Sequence, residues 1–187
     1  MALEIERRFL VAGETWRQHV SWRRRLRQGY LLAAADGLTV RVRLQEGGGG
    51  DAAADAAWLT LKALAQPNDA ISRREYEYAI PVADARELLQ LCGERQLAKW
   101  RHGLTLPGGE WVLDVFEDAN APLVVAEVEL DRVDAPLVIP AWCAAELSGR
   151  HELSNAALAV RPLAFWPHAE RAALLDGLAP RGAGGID

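Results

Sequence analysis

Polar and apolar residues alternate with period two over most of the first 130 positions, the spacing of strands with one buried face. The alternation predicts eight strands, at residues 3–10, 24–34, 38–46, 57–64, 72–80, 94–104, 110–117 and 123–131. Turn formers separate them: Asp36-Gly37, Gly47 to Gly50, Pro67-Asn68-Asp69, Pro107-Gly108-Gly109 and Ala121-Pro122. Eight strands with mostly short connections predict a large antiparallel sheet or a closed barrel.

Helical spacing interrupts the pattern. A short helix is expected over Glu14 to His19. A longer one is expected after Pro81, where Val82, Ala85, Leu88, Leu89 and Cys92 share a face. Beyond Pro140 the segments AWCAAEL, SNAALA and HAERAALLDGL all read as helix. The Gly/Ala-rich stretch 47–57 reads as a flexible hairpin loop, since no GK[ST] follows its glycines as a phosphate-binding loop requires. The chain is expected to form one domain over 1–180, with 181–187 a disordered tail.

Each strand sorts its charges onto one face. Glu4, Glu6 and Arg8 oppose Ile5, Arg7 and Phe9, while Arg41 and Arg43 oppose Val40, Val42 and Leu44. Lys62 opposes Leu59 and Leu61, and Arg73, Glu75 and Glu77 oppose Tyr76 and Tyr78. Lys99 and Arg101 oppose Trp100 and His102, Asp114 opposes Leu113 and Val115, and Glu127 and Glu129 oppose Val128 and Leu130. An apolar barrel interior with its charges in solvent satisfies any one of these strands. For the set, two features favour charges pointing inward. Most strands carry a single sign, whereas solvated faces intersperse signs. The amphipathic helices also need apolar barrel faces to cover. A charged lumen must be wide, watered and balanced, because one unpaired buried ion costs several kcal/mol. Its arginines and lysines suit phosphate oxygens, and its carboxylates suit Mg²⁺ or Mn²⁺ held without histidine.

Bulk properties narrow the class. The 187 residues are half hydrophobic and one quarter charged, with a net charge of −5, an ordinary globular mix that speaks against a general nucleic-acid binder. The run SWRRRLRQGY (21–30) is read as a strand edge or tunnel rim, since no aromatics interleave its arginines as an RNA-binding strip would need. Cys92 and Cys143 form no CxxC and are expected as buried free thiols. His19, His102, His151 and His168 have no metal-ligand spacing and read as structural or surface residues. No apolar run approaches the ~18 residues of a membrane span, so a cytoplasmic protein without membrane partners is expected.

The motifs EIERRF (4–9), QGYL (28–31), TVRVR (39–43), LTLK (59–62), REYEYAIP (74–81), KWR (99–101), WVLDVFED (111–118) and LVVAEVEL (123–130) stand in an order that resembles the CYTH family, also called triphosphate tunnel metalloenzymes. SNAALA (154–159) is similar to the segment near that family's C-terminal helical plug. The resemblance implies an α+β fold: an eight-stranded antiparallel tunnel with a charged lumen, helices outside and a C-terminal plug. It also implies metal-dependent hydrolysis of a triphosphate, with Mg²⁺ or Mn²⁺ as cofactor and a monomer or homodimer as the working form. Carried over, Arg8, Arg41, Arg43, Lys62, Lys99 and Arg101 bind phosphate, with Arg73 a further contact. Glu4, Glu6, Asp114, Glu127 and Glu129 bind metal, supported by Glu75 and Glu77. Tyr30 falls where the family has a tunnel tyrosine near the plug, so the catalytic set is Arg8, Glu4, Glu6 and Tyr30.

Arg8 departs from the family's usual lysine at the third position of ExExK. Charge is kept, but a planar fork replaces a point charge. Class IV adenylate cyclases of the superfamily carry HF shortly before this motif, and this chain has only MAL, which disfavours cyclisation. Few aromatics fall on the expected inner faces (Tyr30, Trp58, Phe116), so inorganic tripolyphosphate is favoured over nucleoside or thiamine triphosphates. The alternatives are a non-hydrolysing triphosphate or polyphosphate binder and a cyclase.

Overall fold

A computed structural model describes residues 2–34, 37–47, 54–65 and 72–176. The expected disordered tail and the turn at Pro67-Asn68-Asp69 lie outside the described residues, as do Asp36 and residues 48–53 of the Gly/Ala loop. Nine strands form one sheet: β1 (Ala2–Val11), β2 (Val20–Ala33), β3 (Thr39–Glu46), β4 (Ala56–Leu64), β5 (Ser72–Ala79), β6 (Gln96–Leu104), β7 (Glu110–Phe116), β8 (Val124–Glu129) and β9 (Cys143–Glu146). Their order is β5-β4-β3-β2-β6-β7-β8-β1-β9, and a further β5–β1 pairing closes the first eight into an antiparallel barrel. Closure leaves those strands no free edge.

The ninth strand corrects the helix expected at AWCAAEL. On one side of β1, β5 pairs only with Ala2–Ile5, which leaves the edge of Phe9–Val11 without a partner. Cys143–Glu146 fill that gap, pairing Cys143 with Val11, Ala145 with Leu10 and Glu146 with Phe9. Backbone groups left open on β1 thus outweigh the local helix preference of the alanines. Cys143 accordingly sits half-buried in a strand, while Cys92 is buried as a free thiol at a helix end. The short helix expected at Glu14–His19 is a 3₁₀ turn over Thr15–His19.

Three α-helices are described: α1 (Val82–Leu91), α2 (Asn155–Val160) and α3 (His168–Asp176). α1 lies outside the barrel, setting Ala85 and Leu89 against Val42, Leu44 and Ala57. Its close approach depends on Gly29, where an added Cβ would stand 2.7 Å from Cys92 Sγ and 2.8 Å from Cys92 Cβ. A second outer cluster joins Ile5, Phe9, Trp111, Leu113 and Val128 with Trp16 and Trp142. Part of the outer wall is bare, however, for Tyr76 and Tyr78 on β5 are exposed.

At one end of the barrel the inward-facing residues become apolar. Leu10, Leu97, Phe116 and Val125 meet Leu147, Leu153, Leu158 and Leu163 in one buried cluster, which closes that end around α2. Ser154 caps α2, its Oγ accepting from the Ala157 N–H at 3.1 Å. Among the described residues no helix is long and apolar enough to cross a membrane.

Candidate functional site

The strands turn their charged faces inward. A cavity of about 930 Å³ is lined by Glu4, Glu6, Arg8, Tyr30, Arg41, Arg43, Lys62, Arg73, Glu75, Glu77, Arg101, Glu127 and Glu129, with Ser148 to His151 and the first turn of α2 completing the lining. The solvent-facing alternative fails at Arg41, which is only 5% exposed, because its β3 neighbours Val42 and Leu44 are claimed by α1 outside. The arginine run of β2 divides in the same way. Arg25 and Arg27 pair with Glu46, Arg25 also reaches Glu117, and Arg23 stacks over Trp100. Arg24 faces a smaller chamber at the other end of the tunnel, with Trp22, Gln45 and Trp58. Arg43, Glu77 and Arg101 line both chambers.

Charges on the wall are paired in layers set by strand register. Arg8 and Glu127 are partners across β1 and β8, with Arg8 Nε 3.2 Å from Glu127 Oε1. Arg8 Nη2 also donates to the Leu153 carbonyl at 3.0 Å, tying the lumen wall to the segment that enters α2. Arg101 bridges Asp114 at 2.7 Å and Glu127 at 2.5 Å. Lys62 reaches Glu4 at 2.5 Å and Glu75 at 3.0 Å. Arg41 donates to Thr60 Oγ1 at 3.0 Å and lies 3.3 Å from Glu77.

Lys99 and Asp114 stand apart from the other expected site residues. Both are fully buried behind the cavity wall, joined at 2.5 Å, and Lys99 also donates to Asn155 Oδ1 of α2 at 2.9 Å. Burial draws the Lys99 ammonium down to about 8 despite the pull of Asp114. Their direct partners are each other, Arg101 and Asn155, so they brace the tunnel floor and the plug.

Two regions of the cavity are electrostatically unsatisfied. Burial and the neighbouring Arg41 and Arg101 pull the Arg43 guanidinium down to about 10, and its ion-pair contact among the described residues, Glu77, is 4.0 Å away. The Nε groups of Arg41 and Arg43 are buried donors without partners among the described residues, a state that costs about 1–3 kcal/mol for each group. Across the lumen, Glu6 and Glu129 are register partners of like charge. Burial and the nearby Glu127 raise the Glu6 carboxyl to about 7. Burial also raises Glu4, and raises Glu129 with help from Glu4 and Glu110. Glu127 behaves oppositely, because Arg101, Lys99 and Arg8 outweigh its burial and hold it far below the usual range. The cavity thus sets a crowded guanidinium wall against a carboxylate wall on which Lys62 reaches Glu4 and Arg8 lies 3.5 Å from Glu6.

Glu4, Glu6 and Glu129 offer only oxygen donors, the type a hard divalent cation takes, and burial raises the proton affinity of each. Among the described residues, no three Asp, Glu, His or Cys side chains converge into a complete metal cage. Several residues on the lumen gave no signal to pattern reading. Trp22 was missed because β2 begins at Val20 rather than at 24, Ser148 and Asn155 are uncharged, and so is Gln28, buried on the same strand face as Tyr30.

The CYTH domain profile matches residues 2–158. An inorganic triphosphatase from Acetivibrio thermocellus is 34% identical over 163 residues, covering 87% of this chain and 96% of that protein. One from Nitrosomonas europaea is 34% identical over 160 residues, covering 84% and 97%. A crystal structure of an inorganic triphosphatase superposes with a TM-score of 0.57 at 32% identity, over 86% of this chain and 96% of that one. A Pyrococcus horikoshii OT3 protein shares the fold at a TM-score of 0.53 and 18% identity, over 70% of this chain and 80% of that one.

Proposed function

The chain belongs to the CYTH domain family, and from that premise we propose that its tunnel binds inorganic tripolyphosphate with a divalent cation and hydrolyses the terminal phosphoanhydride. The observation that carries this reading is the pair of buried Nε donors on Arg41 and Arg43 that find no partner among the described residues, aligned on one wall and opposed by the buried carboxylates Glu4, Glu6 and Glu129. A polyanion supplies the acceptors those arginines lack. A cation bound to its oxygens supplies the charge those glutamates lack. The identity of the relatives as inorganic triphosphatases supports the substrate class.

In this reading Arg41, Arg43, Lys62 and Arg101 grip phosphate oxygens, with Arg73 at the rim and Arg8 deeper on the wall. Glu4, Glu6 and Glu129 hold the cation, with phosphate oxygens completing its shell, as suits an ion that rarely receives a full protein cage. Mg²⁺ or Mn²⁺, when bound, neutralises phosphate charge and eases deprotonation of the attacking water. Glu127 and Asp114 orient Arg101 and Arg8, while Glu75 and Glu77 orient Lys62 and Arg41. Phosphoryl transfer asks the protein mainly for such positioning and charge stabilisation. Burial outweighs the nearby Arg41 and Arg43 and raises the Tyr30 phenol, so Tyr30 acts as a neutral hydrogen-bond donor.

The test is phosphate release from tripolyphosphate and from ATP, with Mg²⁺, Mn²⁺ or EDTA. Metal-dependent release, faster from tripolyphosphate, is expected. Tight binding without turnover leaves a non-hydrolysing binder, and cyclic nucleotide with pyrophosphate from ATP identifies a cyclase.

A further inference from the structure

Gln28 lies on the lumen face of β2, two residues before Tyr30, and is fully buried. Its Nε2 donates to Tyr30 Oη at 3.1 Å, and among the described residues its Oε1 has no partner. A phenol that accepts a hydrogen bond must send its own O–H elsewhere. Tyr30 lines the cavity, and no acceptor for its proton is found among the described residues. Gly29 between them faces outward beneath α1, which pins the strand and hence both inward side chains.

We propose that Gln28 is a positioning residue: its amide occupies the Tyr30 oxygen from behind, so that the Tyr30 proton is presented to an anion in the tunnel. Burying an unsatisfied Oε1 is the cost of this arrangement. An apolar residue of the same length would avoid that cost but leave the phenol free to turn. The charged groups acting most strongly on the Tyr30 phenol are Arg41, Arg43, Lys62 and Glu127. Three of these are cations that gather phosphate around the hydroxyl. Glu127, the only acceptor among them, is already held by Arg8 and Arg101. The inference rests on the tripolyphosphate reading for its ligand, though the geometry of the pair does not.

The test is a double-mutant cycle on kcat/KM for tripolyphosphate, using Gln28→Met and Tyr30→Phe, with thermal unfolding to confirm that each variant folds. Gln28→Met is expected to lose about tenfold, the lower end of the loss for a hydrogen bond to a charged group. The same change in the Tyr30→Phe background is expected to lose almost nothing. Gln28→Glu, which offers the phenol only an acceptor, is expected to lose at least as much as Tyr30→Phe. Equal losses from Gln28→Met with and without the Tyr30 hydroxyl would overturn the inference. Absence of turnover in the parent protein would instead sink the tripolyphosphate reading, and a second readout covers that case. In ultraviolet titration of the phenols, Tyr76 and Tyr78 are exposed and Tyr30 is buried. Gln28→Met should move the buried phenol upward, because it removes a donor that favours phenolate. A downward move would show that Tyr30 donates to Gln28, contrary to the inference.

Discussion

Arg8 reaches Glu127 across the β1–β8 register at 3.2 Å and the Leu153 carbonyl at 3.0 Å, so one guanidinium joins the carboxylate wall to the plug. Its planar fork spans two acceptors in different directions, which a lysine ammonium matches poorly. The departure from ExExK therefore has a visible structural role.

Arg8→Lys should keep the tunnel charge but lose the contact with Leu153. We expect a loss of about 1–3 kcal/mol in urea unfolding, the penalty for a buried carbonyl left without its donor. Phosphate release should stay within about tenfold of the parent, because the cation persists. Unchanged stability would mean that the link to Leu153 contributes nothing to holding α2.

Arg43 is crowded by Arg41 and Arg101 and poorly compensated by Glu77. Arg43→Met should leave the ligand-free protein as stable as the parent or more so, since it removes a strained like-charge contact. The same variant should lose about 10²-fold or more in kcat/KM, comparable to deleting one donor to a transition-state oxyanion. A large fall in melting temperature with intact activity would contradict the assignment of Arg43 to phosphate.

Period-two alternation made the eight barrel strands and the sign of each inner face legible, because a strand's side-chain period is independent of its neighbours. What pairs with what was not legible. Nothing in WVLDVFED says that the β6–β7 register sets Asp114 opposite Arg101 and beside Lys99. β9 was hidden because its existence depends on how far β5 runs along β1, a long-range fact absent from AWCAAEL itself. Gln28 carries no charge, and only its burial beside Tyr30 distinguishes it.

Gly29→Ala tests the link between α1 and the lumen strand. The new methyl would meet both Sγ and Cβ of Cys92, so α1 must move rather than a side-chain tip. A loss of about 1–3 kcal/mol is expected for such overpacking, measured by urea unfolding. Adding Cys92→Ala should not restore the stability, since the Cβ at 2.8 Å remains. Full rescue would show that the helix itself does not need the glycine.

Glu6 gives the metal-free protein a pH dependence of definite sign. Its folded carboxyl titrates near 7, above the ordinary 4.5, so the folded state holds this proton more tightly than the unfolded chain does. The resulting stability is complete below about pH 4.5 and is lost as pH rises through about 7. In EDTA, therefore, the gap between the melting temperatures of Glu6→Gln and the parent should widen in favour of Glu6→Gln from pH 5 to pH 8. Glu127 and Asp114, whose carboxyls are held low by their cations, lose their contribution only at more acid pH and do not mask the effect. Added Mn²⁺ should reverse the ranking above about pH 7, because the ionised Glu6 is then a ligand and glutamine is not. Parallel melting curves for the two proteins across this range would show that burial does not hold the Glu6 proton in the folded state.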